Sequence, residues 1–152
     1  MRANPPALIT YPFRTSHDLR YADMDTNGHV NNGAFGSLME TNRSLLFLKL
    51  RAAGQTEAER AATTTVLARF EIDYLREMAW PATIVAASGV ERLGGASFVL
   101  RQALFVGEDC AALARSTCVI MDRSTRRAAR LGDALRREMA AWATTDTPLA
   151  MG

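Results

Sequence analysis

No stretch of this 152-residue chain stays apolar for the roughly 18 residues that a membrane-spanning helix needs. No span is expected. Residues 1 to 6, Met-Arg-Ala-Asn-Pro-Pro, lack the apolar core of a secretory signal, so the cytoplasm is the default expectation. Strong net charge is missing too: the balance is +2, too small to imply a nucleic-acid partner. Lys49 is the only lysine, so the basic residues are almost all arginine. Cysteine is limited to Cys110 and Cys118. Eight residues of strand would separate them by roughly 26 Å, beyond disulfide reach. Both read as small core residues. No repeat, low-complexity tract or second domain is evident.

What remains reads as one α+β domain over residues 1–152, large enough to bury a core. Phe13 to Tyr21 alternates: Phe13, Leu19 and Tyr21 face one way, Arg14, Ser16, Asp18 and Arg20 the other. This is a half-buried strand, with His17 on its inner face as a core or interface histidine. A helix then starts at Asn31 or Asn32, either of which can cap it. Phe35, Leu38, Met39, Asn42, Leu45, Leu46 and Leu50 recur at helical spacing, and Phe47 and Leu48 widen the apolar face until it is nearly all round. Gly33 and Gly36 are expected to allow close approach to a sheet. Gly54 ends the helix, and Gln55 to Thr63 reads as a polar connection.

Four strands follow: Val66 to Tyr74, Ile84 to Arg92, Ser97 to Val106 and Ala111 to Asp122. Trp80-Pro81, Gly94-Gly95 and Gly107-Glu108-Asp109 supply the turns. Strands this close in sequence pair antiparallel. A short amphipathic helix, Leu131 to Trp142, precedes a tail expected to be loose. A strongly curved antiparallel sheet wrapped around the long helix would cover its apolar surface.

The chemistry is concentrated between Asp23 and Arg43. Asp23, Asp25, Asn27, His29, Asn31 and Asn32 crowd a loop that feeds the N-terminus of the long helix. Unpaired N–H groups there suit a reaction in which negative charge grows on an oxygen. Each residue also has a plain reading. Asp25 and Asn27 can form Asx-turns. Asn31 or Asn32 can simply cap the helix, and Glu40 and Arg43 can form a helical ion pair. Asn42 on the apolar face must find a partner. A phosphotransferase using Asp23-x-Asp25-Thr26 would need an apolar parallel strand before the motif, and Phe13 to Tyr21 is half polar. A metal cage of Asp23, Asp25 and His29 has weak spacing support.

The loop Asp23-x-Asp25-x-x-Gly28-His29-Val30-Asn31-Asn32 resembles that of hotdog-fold thioesterases of the 4-hydroxybenzoyl-CoA thioesterase type. The run from Asp25 to Asn32 is also similar to the Asp-x-Asn-x-His-Val-Asn-Asn of plant acyl-ACP thioesterases. The resemblance covers roughly residues 10 to 125. It implies a hotdog fold and hydrolysis of an acyl-CoA or acyl-ACP thioester. By the same resemblance Asp25 is nucleophile or general base, the Asn32 N–H polarises the carbonyl, and Asn27 and His29 assist. Asn31 and Phe35 would contact substrate. No metal and no organic cofactor are implied. The partners implied are the acyl thioester and further copies of the chain, as a dimer or tetramer with the acyl pocket between subunits.

Two positions depart from the family pattern. The basic run that holds nucleotide phosphates is replaced by Gly94, Gly95 and Ala96. Arg92, Arg126 and Arg127 become the candidates for that task, although an arginine group of this kind also serves as a solvated face. A tyrosine common after the paired asparagines is Phe35 here, so a hydroxyl is lost. The same fold also hosts hydroxyacyl-thioester dehydratases and non-catalytic acyl-CoA-binding modules. A binding module would need no carboxylate at position 25.

Overall fold

The structure, a computed structural model, describes residues 4–152. Its first strand, β1 (Phe13–Asp18), alternates buried-side and exposed residues as expected. It stops short of Tyr21, which sits in a 3-10 turn, 75% exposed, with its ring edge-on to Trp80. The long helix α1 (Asn32–Gly54) follows. Next come a short helix α2 (Glu57–Ala62), β2 (Thr63–Tyr74), β3 (Thr83–Leu93), β4 (Ser97–Val106), β5 (Asp109–Asp122), α3 (Asp133–Ala141) and a two-residue β6 (Ala150–Met151).

The sheet runs in the order β1-β3-β4-β5-β2, every neighbour antiparallel, with β6 added parallel to β3. This curved, unclosed sheet around one long helix is the hotdog fold. The connection carrying α1 lies between β1 and β2, which form opposite edges of the main sheet. The helix packs over β1, β3 and β4. β2 is left as an edge, with Leu67 and Tyr74 partly in solvent.

α1 buries Ala34, Phe35, Met39, Asn42, Arg43, Leu46 and Leu50, the three- and four-residue spacing of a single helical face. It is not enclosed all round: Leu48 is 69% exposed. The glycines also act differently from expectation. A Cβ on Gly36 would meet nothing within 4 Å, and on Gly33 only the Asn31 side chain. The close approach occurs at Gly54, where a Cβ would lie 2.6 Å from the Leu135 Cα. There the end of α1 packs on α3.

The connection from Gln55 to Thr63 holds α2, started by a reciprocal cap. Thr56 Oγ1 accepts from the Glu59 N–H, and Glu59 accepts from the Thr56 N–H. The last helix is shorter than expected. Leu131 is buried just before it, and Trp142 just after it packs edge-on against Phe13. The tail is not loose. Thr144 is buried, Asp146 pairs with the buried Arg101, and the Gly152 N–H donates to Leu93 O at 2.7 Å. Cys110 and Cys118 share β5 as free, buried thiols.

Candidate active site

Two backbone ties fold the loop before α1. Met24 and Val30 form an isolated antiparallel bridge. Between them the Asp25 N–H donates to His29 O at 2.8 Å, and the Gly28 N–H to Asp25 O at 3.2 Å. Gly28 makes this possible, since its φ of +80° lies where side chains are rarely tolerated.

Asp25 uses one oxygen for the turn. Its Oδ1 accepts from the Asn27 N–H at 2.8 Å and from the His29 N–H at 3.4 Å. Its Oδ2 accepts nothing among the described residues, and the side chain is exposed. The plain Asx-turn reading therefore holds for Oδ1 and leaves Oδ2 without a partner among the described residues.

Asp23 is different in kind. It is buried and held by Arg20, whose Nη2 donates to Oδ1 at 2.8 Å and whose backbone N–H donates to Oδ2 at 2.8 Å. These bonds from Arg20 hold its carboxyl below the usual carboxylate range.

Asn31 is the helix cap. Its Oδ1 accepts from the Ala34 N–H at 2.9 Å, and its Nδ2 donates to Asp23 O at 2.8 Å. Both ends of the Asn31 side chain therefore help to frame the loop. The N–H groups of Asn32 and Gly33, in the first turn of α1, donate to nothing among the described residues. They are the unpaired donors a helix start provides.

The loop is tied to the chain after β2: the Val30 N–H donates to Met78 O at 2.8 Å, and the Trp80 N–H to Met24 Sδ at 3.3 Å. That docking brings Glu77 to His29, with Nε2 3.1 Å from Oε2. The His29 ring thus meets Glu77 and not Asp25. Asp25, Asn27, His29, Asn32 and Phe35 line one open cleft of about 440 Å³, closed on the other side by Tyr74, Arg76 and Glu77. Phe35 packs edge-on to Tyr74, their ring centroids 5.1 Å apart. Arg76 brings a cation to this cleft and pairs with Asp109 at 3.2 Å.

Tyr74, Arg76 and Glu77 were missed in the sequence. They lie some fifty residues from Asp25, and only the end of a strand hinted at them.

The arginine candidates lie elsewhere in this chain. Arg92 lines a separate cleft with Glu91, Val99, Arg115 and Thr117. Arg126 and Arg127 sit in the turn after β5, whose Asp122 pairs with Thr63 at the start of β2. The Asp25 cleft is at the Tyr74 end of the same strand, eleven steps or roughly 36 Å away.

Residues 19–139 match the thioesterase-like superfamily. The chain belongs to that superfamily. No curated protein matches it. Among solved structures, a protein of Pseudomonas aeruginosa strain PAO1 is 24% identical with a TM-score of 0.79, over 93% of this chain and 99% of that one. A thioesterase of Thermus thermophilus, solved with coenzyme A and zinc, is 28% identical with a TM-score of 0.73, over 88% and 95%. A hypothetical protein of Staphylococcus aureus, solved with coenzyme A, is 15% identical with a TM-score of 0.78, over 90% and 88%.

Proposed function

We propose that this member of the thioesterase-like superfamily hydrolyses an acyl-CoA thioester, with Asp25 as nucleophile or general base. One observation carries the reading. A carboxylate fixed through Oδ1 leaves Oδ2 free in the same cleft as Asn32, whose N–H at the start of α1 is unpaired among the described residues.

The thioester carbonyl oxygen would sit at the N–H groups of Asn32 and Gly33. Those donors and the helix dipole stabilise the negative charge that grows there. Asp25 Oδ2 either attacks the carbonyl carbon or removes a proton from a water that does. Collapse of the tetrahedral centre breaks the C–S bond. A thiol of pKa about 8.5 leaves without a strong acid. If Asp25 attacks, water then cleaves the mixed anhydride, and either route ends in free acid and free thiol. Asn27, whose side chain makes no hydrogen bond among the described residues, would hold water. His29, held by Glu77, would relay its proton.

Coenzyme A is favoured over a carrier protein because two similar structures hold it. The protein would act as a dimer built on the free edge of β2. Antiparallel pairing of that edge with its copy sets the Thr63 end of one strand beside the Tyr74 end of the other. The partner's Arg126 and Arg127 would then reach the cleft and add phosphate contacts to that of Arg76. Release of free thiol from matched acyl-CoA and acyl-ACP panels tests the reaction and the carrier. Absence of release from both, with intact acyl thioester bound, would leave a binding module instead.

A further inference from the structure

Beneath the middle of α1 the core stops being apolar. Asn42 donates to Ala86 O and Thr15 Oγ1, and Arg43 to Gln102 and Ser116 on the sheet; Asn42, Arg43, Gln102 and Ser116 are buried, as is Ser88, the cross-strand neighbour of Gln102. This band separates an apolar cluster beside the cleft, with Phe35, Met39 and Leu104, from a second around Leu46, Leu50 and Leu135.

Arg43 is the unusual member. It is 5% exposed, yet it takes part in no ion pair among the described residues. The expected partner Glu40 is exposed and does not reach it. Arg43 Nη1 donates to Gln102 Oε1 at 3.2 Å and Ser116 Oγ at 3.1 Å, both neutral. Its Nε and Nη2 donate to nothing among the described residues. A charge largely withdrawn from water with no counter-charge among the described residues is costly, and here only two neutral acceptors and the face of Phe70 answer it. An apolar residue here would simply have joined the two clusters.

Arg43 Cζ lies 5.9 Å from the centre of the Phe70 ring on β2. Phe70, Ile72 and Leu38 are half-buried and pack on the cluster that contains Phe35. Phe35 in turn meets Tyr74 at the cleft. Apolar side chains of α1 and β2 therefore form a seam of contacts from the proposed reaction centre to a guanidinium with no counter-charge among the described residues.

Resting on the hydrolase reading, we propose that the acyl chain lies in this seam and that Arg43 recognises a carboxylate at its far end. The preferred substrate is then the monothioester of a dicarboxylic acid. Arg43 is eleven residues beyond Asn32, about 16 Å along the helix, and its side chain leans back toward the N-terminus. The remaining 10–13 Å or so matches an acyl group of roughly eight to ten carbons with bonds of about 1.5 Å.

The test compares ω-carboxyacyl-CoA with methyl-terminated acyl-CoA of equal length, using butyryl-CoA as a short reference that does not reach Arg43. The wild-type protein is expected to favour the ω-carboxyl series at least tenfold in kcat/KM, peaking near the stated length. Arg43→Met should abolish that preference through KM while sparing butyryl-CoA, and Arg43→Lys should keep part of it. No preference in the wild type, or equal losses on both series, overturns the assignment. If Arg43→Met does not fold, the wild-type comparison still decides. If no thioester is hydrolysed, the hydrolase reading has failed by itself. Calorimetric titration of the two intact thioester series then shows whether Arg43 still selects the carboxylate.

Discussion

His29 Nε2 and Glu77 Oε2 lie 3.1 Å apart in the cleft, joining the loop before α1 to the chain after β2. Both side chains are well exposed, so the pair adds little to stability. On the proposed mechanism its value is orientation of His29. Glu77→Ala should lower kcat about tenfold with little change in KM or melting temperature. Glu77→Gln, which still accepts a hydrogen bond, should recover part of the loss. Steady-state kinetics on one acyl-CoA reads all three proteins, and an effect confined to KM would reassign Glu77 to substrate binding.

Asp25→Asn keeps an acceptor for the Asn27 N–H, so the turn should survive. Turnover should fall by a factor of about 10² or more, as for a lost general base. Asp23→Asn should cost far less activity and more stability, because it weakens the Arg20 contacts. Equal losses of turnover from the two variants in folded protein would refute the assignment.

Stability should fall in acid through two carboxylates. Asp23 is held low by Arg20, and Asp122 is pushed down to about 2 by the backbone and hydroxyl donors of Ser124 and Thr125. Each binds a proton more weakly folded than unfolded, so the unfolded chain takes up protons first as pH drops. Their contributions are complete above the unfolded value of about 3.9 and decline as pH falls toward the folded values. Thermal melts from neutral pH down to about 2 should show this decline, and Asp122→Asn should flatten it. An unchanged slope in that variant would remove Asp122 from the account.

Gly54→Ala should destabilise by about 1–3 kcal/mol through overpacking against α3. Gly36→Ala, also helical but facing open space, should be neutral or stabilising by up to about 1 kcal/mol. Denaturant unfolding of the two variants measures the contrast. Similar shifts in both would mean that α3 yields to the extra carbon.

Light scattering should give a mass that is a multiple of 16.6 kDa. Leu67→Lys on the free edge of β2 should shift the protein toward the monomer and raise KM for acyl-CoA. A wild-type monomer at micromolar concentration would exclude the edge dimer and the phosphate contacts drawn from it.

The parts legible in the sequence were those fixed by local rules. The apolar period from Phe35 to Leu50 marked α1, the Asn31-Asn32 pair marked its start without showing which of the two caps it, and alternation marked the strands of the main sheet. Asp25 and His29 stood out because their loop is compact in sequence. What was hidden depended on distant segments meeting. Glu40 was the obvious local partner for Arg43, but helix rotation points Arg43 inward to Gln102 and Ser116, which lie 59 and 73 residues away. Glu77 carries no local signal, and it reaches His29 only because Val30 bonds to Met78. The residues after Trp142 looked polar and loose because their partners, Arg101 and Leu93, are on other strands.

That last segment sets an order of events during synthesis. β1, α1, β2 and the hairpins emerge from the ribosome first, and domains tend to fold as they emerge. Arg101, 8% exposed in the finished protein, then stands in β4 with its charge unanswered, because Asp146 has yet to be made. The sheet's last strand and the counter-charge of Arg101 arrive together, after α3. A nascent chain stalled just beyond Trp142 should therefore hold α1 against the sheet while the far side of β4 is still wet.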